Sequence, residues 1–399
     1  MTPERAVIVG ASHAGAQLAA NLRREGWSGE VVLIGDERGL PYHRPPLSKG
    51  YLAGKNGLDD LLIRGADFYE KQHIRLLNAT VEAIHRSAKR VSLSTGDTLT
   101  YTKLALCTGA RARRLPTPGV DLRGIHYLRT AADVELIRAA ATPGRRVVIV
   151  GGGYIGLETA ASLCSLGMNV TVLEATERVL ERVTAPEVSA FYTRIHRGEG
   201  VEIRTHALVE AFSGNGGVQE VVLADGESIP ADLVIVGVGV VPNTELASAA
   251  GLSVDNGIVI DDQARTSDPD IVAAGDCTSH TMARYGWGIR LESVSSAGEQ
   301  AKIAAATICG KHSAIAALPW FWSDQYDLKL QIAGLNAGYD EVLLSGDPSR
   351  ERDFSCFYFR EGELIAADCV NRPRDFMSSK RAISQQLRVD RSDLLAGSI

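Results

Sequence analysis

Apolar runs alternate with helical stretches along the chain, and twice they do so around a glycine-rich turn. Residues 7–15, VIVGASHAG, read as a buried strand running into glycines. The next residues, AQLAANLRREG, place apolar positions at helical spacing and stop at Gly26. Residues 147–158, VVIVGGGYIGLE, repeat the arrangement; TAASLCSLG continues the helix to a stop at Gly167. A glycine ends a helix well because it takes the left-handed conformation without a Cβ penalty. Each copy leads to a second strand ending in acid: EVVLIGDE reaches Asp36 and Glu37, and NVTVLE reaches Glu174. A later run, DIVAAGDCTS, is a strand ending at Gly275-Asp276, and SSAGEQAKIAAATICG is a helix stopping at Gly310.

The glycines have distinct tasks. Gly10 and Gly151 permit the tight strand-to-helix turn, and Gly15 and Gly156 let the helix pack close to the strand. The middle position, Gly153 in the second copy, lets backbone approach a pyrophosphate at the helix N-terminus. In the first copy that position is Ser12, followed by His13 and Ala14. Glu174 follows Gly156 by about 18 residues, near the roughly 20 at which an acid accepts the ribose 2′-hydroxyl. A carboxylate there repels a 2′-phosphate, so NADH is expected over NADPH, with Arg178 the one nearby cation that argues otherwise. Two nucleotide folds in one chain imply two dinucleotides, FAD held and a nicotinamide nucleotide exchanged. Asp276 suits the flavin's sugar-alcohol chain, although a Gly-Asp pair alone is an ordinary turn.

Composition narrows the class. The chain has 399 residues, 45% of them apolar, 40 glycines and a net charge of −6. That length suits two or three domains, and the mild acidity argues against a nucleic-acid partner. The N-terminus has no signal-peptide pattern, and the longest apolar run, LVIVGVGVV, is too short to span a membrane. A cytoplasmic protein is expected, without a metal. Cys107, Cys164, Cys277, Cys309, Cys356 and Cys369 form no C-x-x-C and read as reduced thiols. None precedes Cys107, so the region around Tyr42 lacks a redox thiol.

Longer segments carry a family resemblance: PYHRPPLSKGYL (41–52), LALCTGARARRLP (104–116), VGVGVVPNTELA (236–247), RLESVSSAGEQA (290–301) and PWFWSDQYDLKLQIAG (319–334), beside the glycine turns and AAGDC. On these residues the chain resembles, over nearly its whole length, the NADH-dependent ferredoxin reductases that serve bacterial oxygenases. RPPLSK and PWFWSDQ are its specific motifs, whereas the two-dinucleotide architecture is shared more widely. The resemblance implies an α/β fold with two Rossmann-like dinucleotide-binding domains, glutathione-reductase-like, plus a smaller α+β C-terminal domain. It implies a discontinuous FAD-binding domain at 1–112 and 241–318, an NADH-binding domain at 113–240 and a C-terminal domain at 319–399.

It also implies site residues. FAD contacts fall on the first glycine turn, on Arg44, Pro45 and Lys49, on Thr108, Gly109 and Arg111, and on Glu292, Ser293 and Val294 at a helix start. Each has a plainer reading as a solvated turn, a crossover or an N-cap. NADH contacts fall on Gly151, Gly153, Tyr154, Ile155, Gly156, Glu158, Glu174 and Gly237. Lys49 and Glu158 are expected at the nicotinamide, paired with each other. Trp322, with Trp320 beside it, is expected to wall the flavin on the path to the ferredoxin; from the residues alone, core packing is the default. No general base or nucleophile is required, because positioning and electrostatics carry hydride transfer to the flavin.

The expected partner is a [2Fe–2S] ferredoxin of a monooxygenase or dioxygenase system, docking on basic residues drawn from Arg64, Lys302, Arg372, Arg374, Lys380 and Arg381. A monomer or weak dimer is expected. The rivals are an NADH oxidase or other reductase of a small acceptor, and an apoptosis-inducing-factor-like redox sensor.

Overall fold

Strand Arg5–Val9 is buried from Ala6 to Val9, as a strand covered on both faces must be. It pairs in parallel with Glu30–Gly35 on one side and Lys103–Leu106 on the other. Ile271–Ala273 and Ile74–Asn78 complete this five-stranded sheet at its two ends. The structure, a computed structural model, describes residues 4–396. This sheet belongs to the first of two compact units, made of residues up to His43, Asp59–Arg111 and Val241–Pro319. The helix after the first strand, His13–Glu25, packs against helix Val294–Ile308 and ends at Gly26, whose φ is +96°.

The second unit comprises Arg44–Leu58, Ala112–Val240 and the residues from Trp320 on. Its nucleotide sheet repeats the plan, with Arg146–Val150 between Asn169–Leu173 and Leu233–Val236. Glu202–Arg204 and Ile125–Tyr127 flank these in parallel. Helix Tyr154–Ser165 follows the first strand; Leu166 caps it and Gly167 stands one residue beyond, at φ +78°.

The two copies differ where ribose would be read. Val9 pairs with Ile34, and Val150 with Leu173. Overlaying the two ladders therefore puts Gly35 where Glu174 stands, with Asp36 and Glu37 one and two residues later. A side chain is barred at Gly35, because its Cβ would lie 2.6 Å from the Ala11 Cβ.

The unit also contains a five-stranded antiparallel sheet, in the order Trp320–Gln325, Leu328–Gly334, Glu363–Val370, Phe354–Arg360, Glu341–Ser345. Alternation along Trp320–Gln325 sends Trp320, Trp322 and Asp324 to one face and Phe321, Ser323 and Gln325 to the other. The Trp face meets helix Pro373–Ser384, where Phe376 lies 6.0 Å from the Trp320 ring. The opposite face meets helices Tyr154–Ser165 and Pro186–Gly198: the Phe321 ring lies 4.8 Å from that of Tyr154, and the Phe354 ring 4.8 Å from that of Phe191, both pairs tilted. All six cysteines are free thiols. Among the described residues no helix is long and apolar enough to cross a membrane, and no cluster suits a metal ion.

Asp368 is an acid in this apolar interface. It is 1% exposed, and Tyr358 donates to its Oδ2 at 2.5 Å while accepting the Ala185 N–H at 3.0 Å. Burial raises its carboxyl from 3.8 to about 7, the Tyr358 hydrogen bond offsetting only part of that. The buried Tyr154 and Tyr192 hydroxyls, which also feel Asp368, have no hydrogen-bond partner among the described residues. The unfolded chain loses this proton first, so between about pH 4 and pH 7 the folded state binds more protons and stability falls as pH rises. Asp368→Asn removes that term. The melting temperature of the variant relative to the parent should climb across this window, by at most about 1.4 kcal/mol of stability per pH unit. A difference that stays constant with pH would contradict the buried, protonated acid.

Candidate functional site

In the first unit only glycine fits the turn. Gly10 has φ +109°, and a Cβ there would lie 2.0 Å from the Cys107 carbonyl oxygen; one at Gly15 would lie 1.9 Å from that of Gly10. The Ser12 side chain makes no capping hydrogen bond to helix His13–Glu25, and no acid occupies its first turn. The positive end of the helix is thus not neutralised from within, which is what a pyrophosphate requires. His13 is buried, with Nε2 3.0 Å from Nδ1 of His43. Glu37 accepts the Tyr42 hydroxyl, while Asp36 is exposed.

Side-chain hydrogen bonds brace the neighbouring loops. The Asn243 amide donates to the Thr108 carbonyl at 2.8 Å, and the Thr108 hydroxyl donates to the Asn243 carbonyl at 2.6 Å. Arg111, beside Gly109, is spent on Asn243 Oδ1 and Glu245 Oε1, both at 2.8 Å. Gln300, 1% exposed, accepts the Gly275 N–H at 2.7 Å and the Thr278 hydroxyl at 2.9 Å, fixing the turn that presents Asp276. Ser293 caps helix Val294–Ile308 by accepting the Ser296 N–H at 3.2 Å; Glu292 before it is exposed and paired with Arg290. An uncapped helix end behind an all-glycine contact, flanked by these turns, fits FAD.

The second turn is cleaner. Gly151 has φ +110°, and its Cβ would lie 2.4 Å from the Gly237 carbonyl oxygen; one at Gly156 would lie 2.0 Å from that of Gly151. A Cβ at Gly153, the helix N-cap, would meet nothing within 4 Å, so backbone there is open to a phosphate. Glu174 lies beneath this turn: Oε2 accepts the Gly152 N–H at 2.8 Å, and Oε1 accepts the Thr176 N–H at 2.9 Å and hydroxyl at 3.0 Å. Arg178 points its guanidinium inward, to the Thr184 and Glu181 carbonyls and the Ser189 hydroxyl at 2.9, 3.0 and 2.5 Å. Ile155, the second residue of the helix, is 40% exposed. The fit is to NAD(H).

Glu158, one turn into that helix, is 4% exposed. A buried carboxylate survives only with partners, and three donors meet it here. Lys49 Nζ lies 2.7 Å from Oε2, the Ser48 hydroxyl donates to Oε2 at 2.5 Å, and the Ser323 hydroxyl donates to Oε1 at 2.6 Å. Pro45 and Ser48 bound a short 3-10 turn that delivers Lys49, whose Nζ also donates to the Pro45 carbonyl at 3.0 Å. Arg44 donates to the Arg129 carbonyl at 2.7 Å.

The structure therefore brings Lys49 and Glu158 together. Trp322 projects from the opposite face of its strand to Ser323, and its ring stacks on Trp320 at 5.4 Å and 28°. Lys380 caps Trp320 at 4.8 Å. Of the other expected docking cations, Arg374, Arg381, Arg64 and Lys302 are exposed, whereas Arg372 is half-buried and tied to Asp353 at 3.0 Å. Sequence reasoning missed Ser48, Ser323, Gln325, His196, Gln300 and Asn243. For Ser323 and Gln325 the one available signal was strand alternation, which puts both on Phe321's face.

Residues 4–304 match the pyridine nucleotide-disulphide oxidoreductase family, and residues 320–398 match the reductase C-terminal family. The chain is 47% identical to putidaredoxin reductase of Pseudomonas putida, over 97% of this chain and 93% of that protein. It is 45% identical to a ferredoxin–NAD(P)+ reductase of a Sphingomonas species, over 96% and 94%. Among solved structures, the reductase in a covalent putidaredoxin reductase–putidaredoxin complex superposes with a TM-score of 0.95 at 45% identity, covering 99% of each chain. A ferredoxin reductase from Rhodopseudomonas palustris superposes with a TM-score of 0.96 at 40% identity, over 98% and 97%. FAD and NAD(H) are the cofactors this family implies. The chain belongs to the pyridine nucleotide-disulphide oxidoreductase family, among the ferredoxin reductases that its sequence resembles.

Proposed function

We propose that the protein is an FAD-dependent NADH:ferredoxin oxidoreductase that reduces a [2Fe–2S] ferredoxin supplying an oxygenase. One observation carries the redox half: two dinucleotide cradles in one chain, each with a turn only glycine can make and no side chain capping its helix. The partner half is supported by relatives named for reducing putidaredoxin and ferredoxin. FAD, when bound, accepts electrons as a pair and releases them singly, which a one-electron iron–sulfur acceptor requires.

The chain's own residues then bind and orient. Gly10, Ser12, His13, Ala14 and Gly15 offer backbone and a helix end to the FAD pyrophosphate, and Gly275 and Asp276 receive the flavin's sugar-alcohol chain. Glu292, Ser293 and Val294 direct a second helix end at the flavin ring, where negative charge gathers on reduction. Arg44, Pro45 and Lys49 line the ring, and Trp322 walls it. Thr108 and Gly109 approach the cofactor, with Arg111 bracing their turn. Asp36 and Glu37 remain the ribose candidates of the FAD copy.

For NADH, Gly151, Gly153, Tyr154, Ile155 and Gly156 hold the pyrophosphate end, packed on Gly237. Glu174 accepts the ribose hydroxyl, and Glu158 with Lys49 orients the nicotinamide carboxamide. The domain division 1–112 with 241–318, 113–240 and 319–399 is proposed as the functional one. Docking on the exposed cations of helix Pro373–Ser384, a cytoplasmic setting and a monomer or weak dimer complete the reading.

The test is NADH turnover with and without a [2Fe–2S] ferredoxin. Anaerobic NADH should bleach the flavin bands, and turnover in air should be slow until the ferredoxin is added. Oxygen consumption equally fast without it would identify an NADH oxidase instead.

Nucleotide choice is a second check. Glu174→Gln keeps the side chain's size but loses the charge and one of the two backbone N–H contacts, so KM for NADH should rise by at least about tenfold, the loss of one hydrogen bond to a charged group. NADPH should remain the poorer substrate, because Arg178 is committed to Thr184, Glu181 and Ser189. A variant that prefers NADPH would overturn this account of selectivity.

A further inference from the structure

A chain of hydrogen bonds ends on Glu158. The Ser323 hydroxyl donates to Glu158 Oε1 at 2.6 Å. Gln325 Nε2 donates to the Ser323 Oγ at 3.2 Å, and Gln325 Oε1 lies 2.8 Å from His196 Nε2. His196 Nδ1 lies 3.1 Å from the Tyr326 hydroxyl. Gln325 and His196 are 1% and 0% exposed.

The chemistry of each group fixes the direction of every link. An amide oxygen only accepts, so His196 carries its proton on Nε2. Burial holds the His196 imidazole down at about 4, so it is neutral at working pH and its Nδ1 accepts from Tyr326. Ser323 receives the Gln325 amide hydrogen on its oxygen, so its own hydrogen goes to Glu158. All dipoles therefore run one way, toward the carboxylate, and each link polarises the next.

The opposite edge of the same carboxylate is held by Ser48 and Lys49 on Oε2. Satisfying Oε1 would take one hydroxyl. Two further fully buried polar side chains add nothing to that count; what they determine is where the hydroxyl points.

We propose that Ser323, aimed by Gln325, His196 and Tyr326, is a positioning residue that fixes the plane of the Glu158 carboxylate for the nicotinamide carboxamide. The role of the SDQ triplet in PWFWSDQ is thus distinct from that of its tryptophans: it lets the C-terminal domain set the geometry of the nicotinamide site. This inference rests on the reading that Glu158 meets the carboxamide.

The test uses holoenzyme carrying Ser323→Ala, Ser323→Thr, Gln325→Met, Glu158→Gln or the Ser323→Ala/Glu158→Gln pair. Each is titrated calorimetrically with NAD+, melted, and followed in single-turnover reduction by NADH. Ser323→Ala should weaken NAD+ binding about tenfold, the worth of one hydrogen bond to a charged group, and slow reduction. Gln325→Met, which leaves the hydroxyl but frees its direction, should show a smaller loss of the same kind. Ser323→Thr keeps the hydroxyl, so it should bind NAD+ more tightly than Ser323→Ala even if its added methyl in this fully buried position lowers the melting temperature. In the Glu158→Gln background Ser323→Ala should add little, as expected of residues acting through one another.

Normal NAD+ binding by both Ser323→Ala and Gln325→Met, beside a defective Glu158→Gln, would overturn this inference alone. So would losses that multiply independently in the pair. Normal binding by Glu158→Gln would overturn the nicotinamide reading and this inference with it.

Discussion

The burial of one carboxylate organises the second unit. Glu158 has almost no contact with solvent and is met by donors from two distant stretches of chain, Ser48 and Lys49 on one edge and Ser323 on the other. Removing an ionised carboxylate from water costs several kcal/mol, recovered only if charge and hydrogen bonds are both supplied. The PPLSK loop, the glycine-turn helix and the first strand of the C-terminal sheet are therefore constrained together. The sequence separations, 110 residues from Ser48 and 165 from Ser323, show how non-local that constraint is.

What could be read from sequence follows from how locally each constraint acts. The glycine turns are legible because a positive φ and a carbonyl about 2 Å from a would-be Cβ are demands on single residues. Spacing alone also shows that the acids following the two copies fall at different positions; the ladders supply the reason, since Gly35 has no room for a side chain. The family resemblance joins Lys49 to Glu158, a pairing that periodicity cannot reach.

Other features were hidden for physical reasons. Ser323 and Gln325 lie within PWFWSDQ, but both faces of their strand carry aromatic rings, which masks the alternation. Asp368 sits within LIAADCV, where nothing local shows that its carboxyl is enclosed or that Tyr358 meets it. Arg111 and Arg178 suit phosphate by charge, yet each is spent on protein acceptors. Charge gives a residue's capacity, and only the fold gives its partner.

On the proposed function, the nicotinamide carboxamide is received by the Glu158 carboxylate held between Lys49 and Ser323. The most direct measurement is a crystal structure of the reduced holoenzyme with NAD+. The carboxamide should lie within hydrogen-bond distance of a Glu158 oxygen, with the Ser323 contact intact. A nicotinamide bound with its carboxamide on other residues, and Glu158 still sealed in its present contacts, would contradict it.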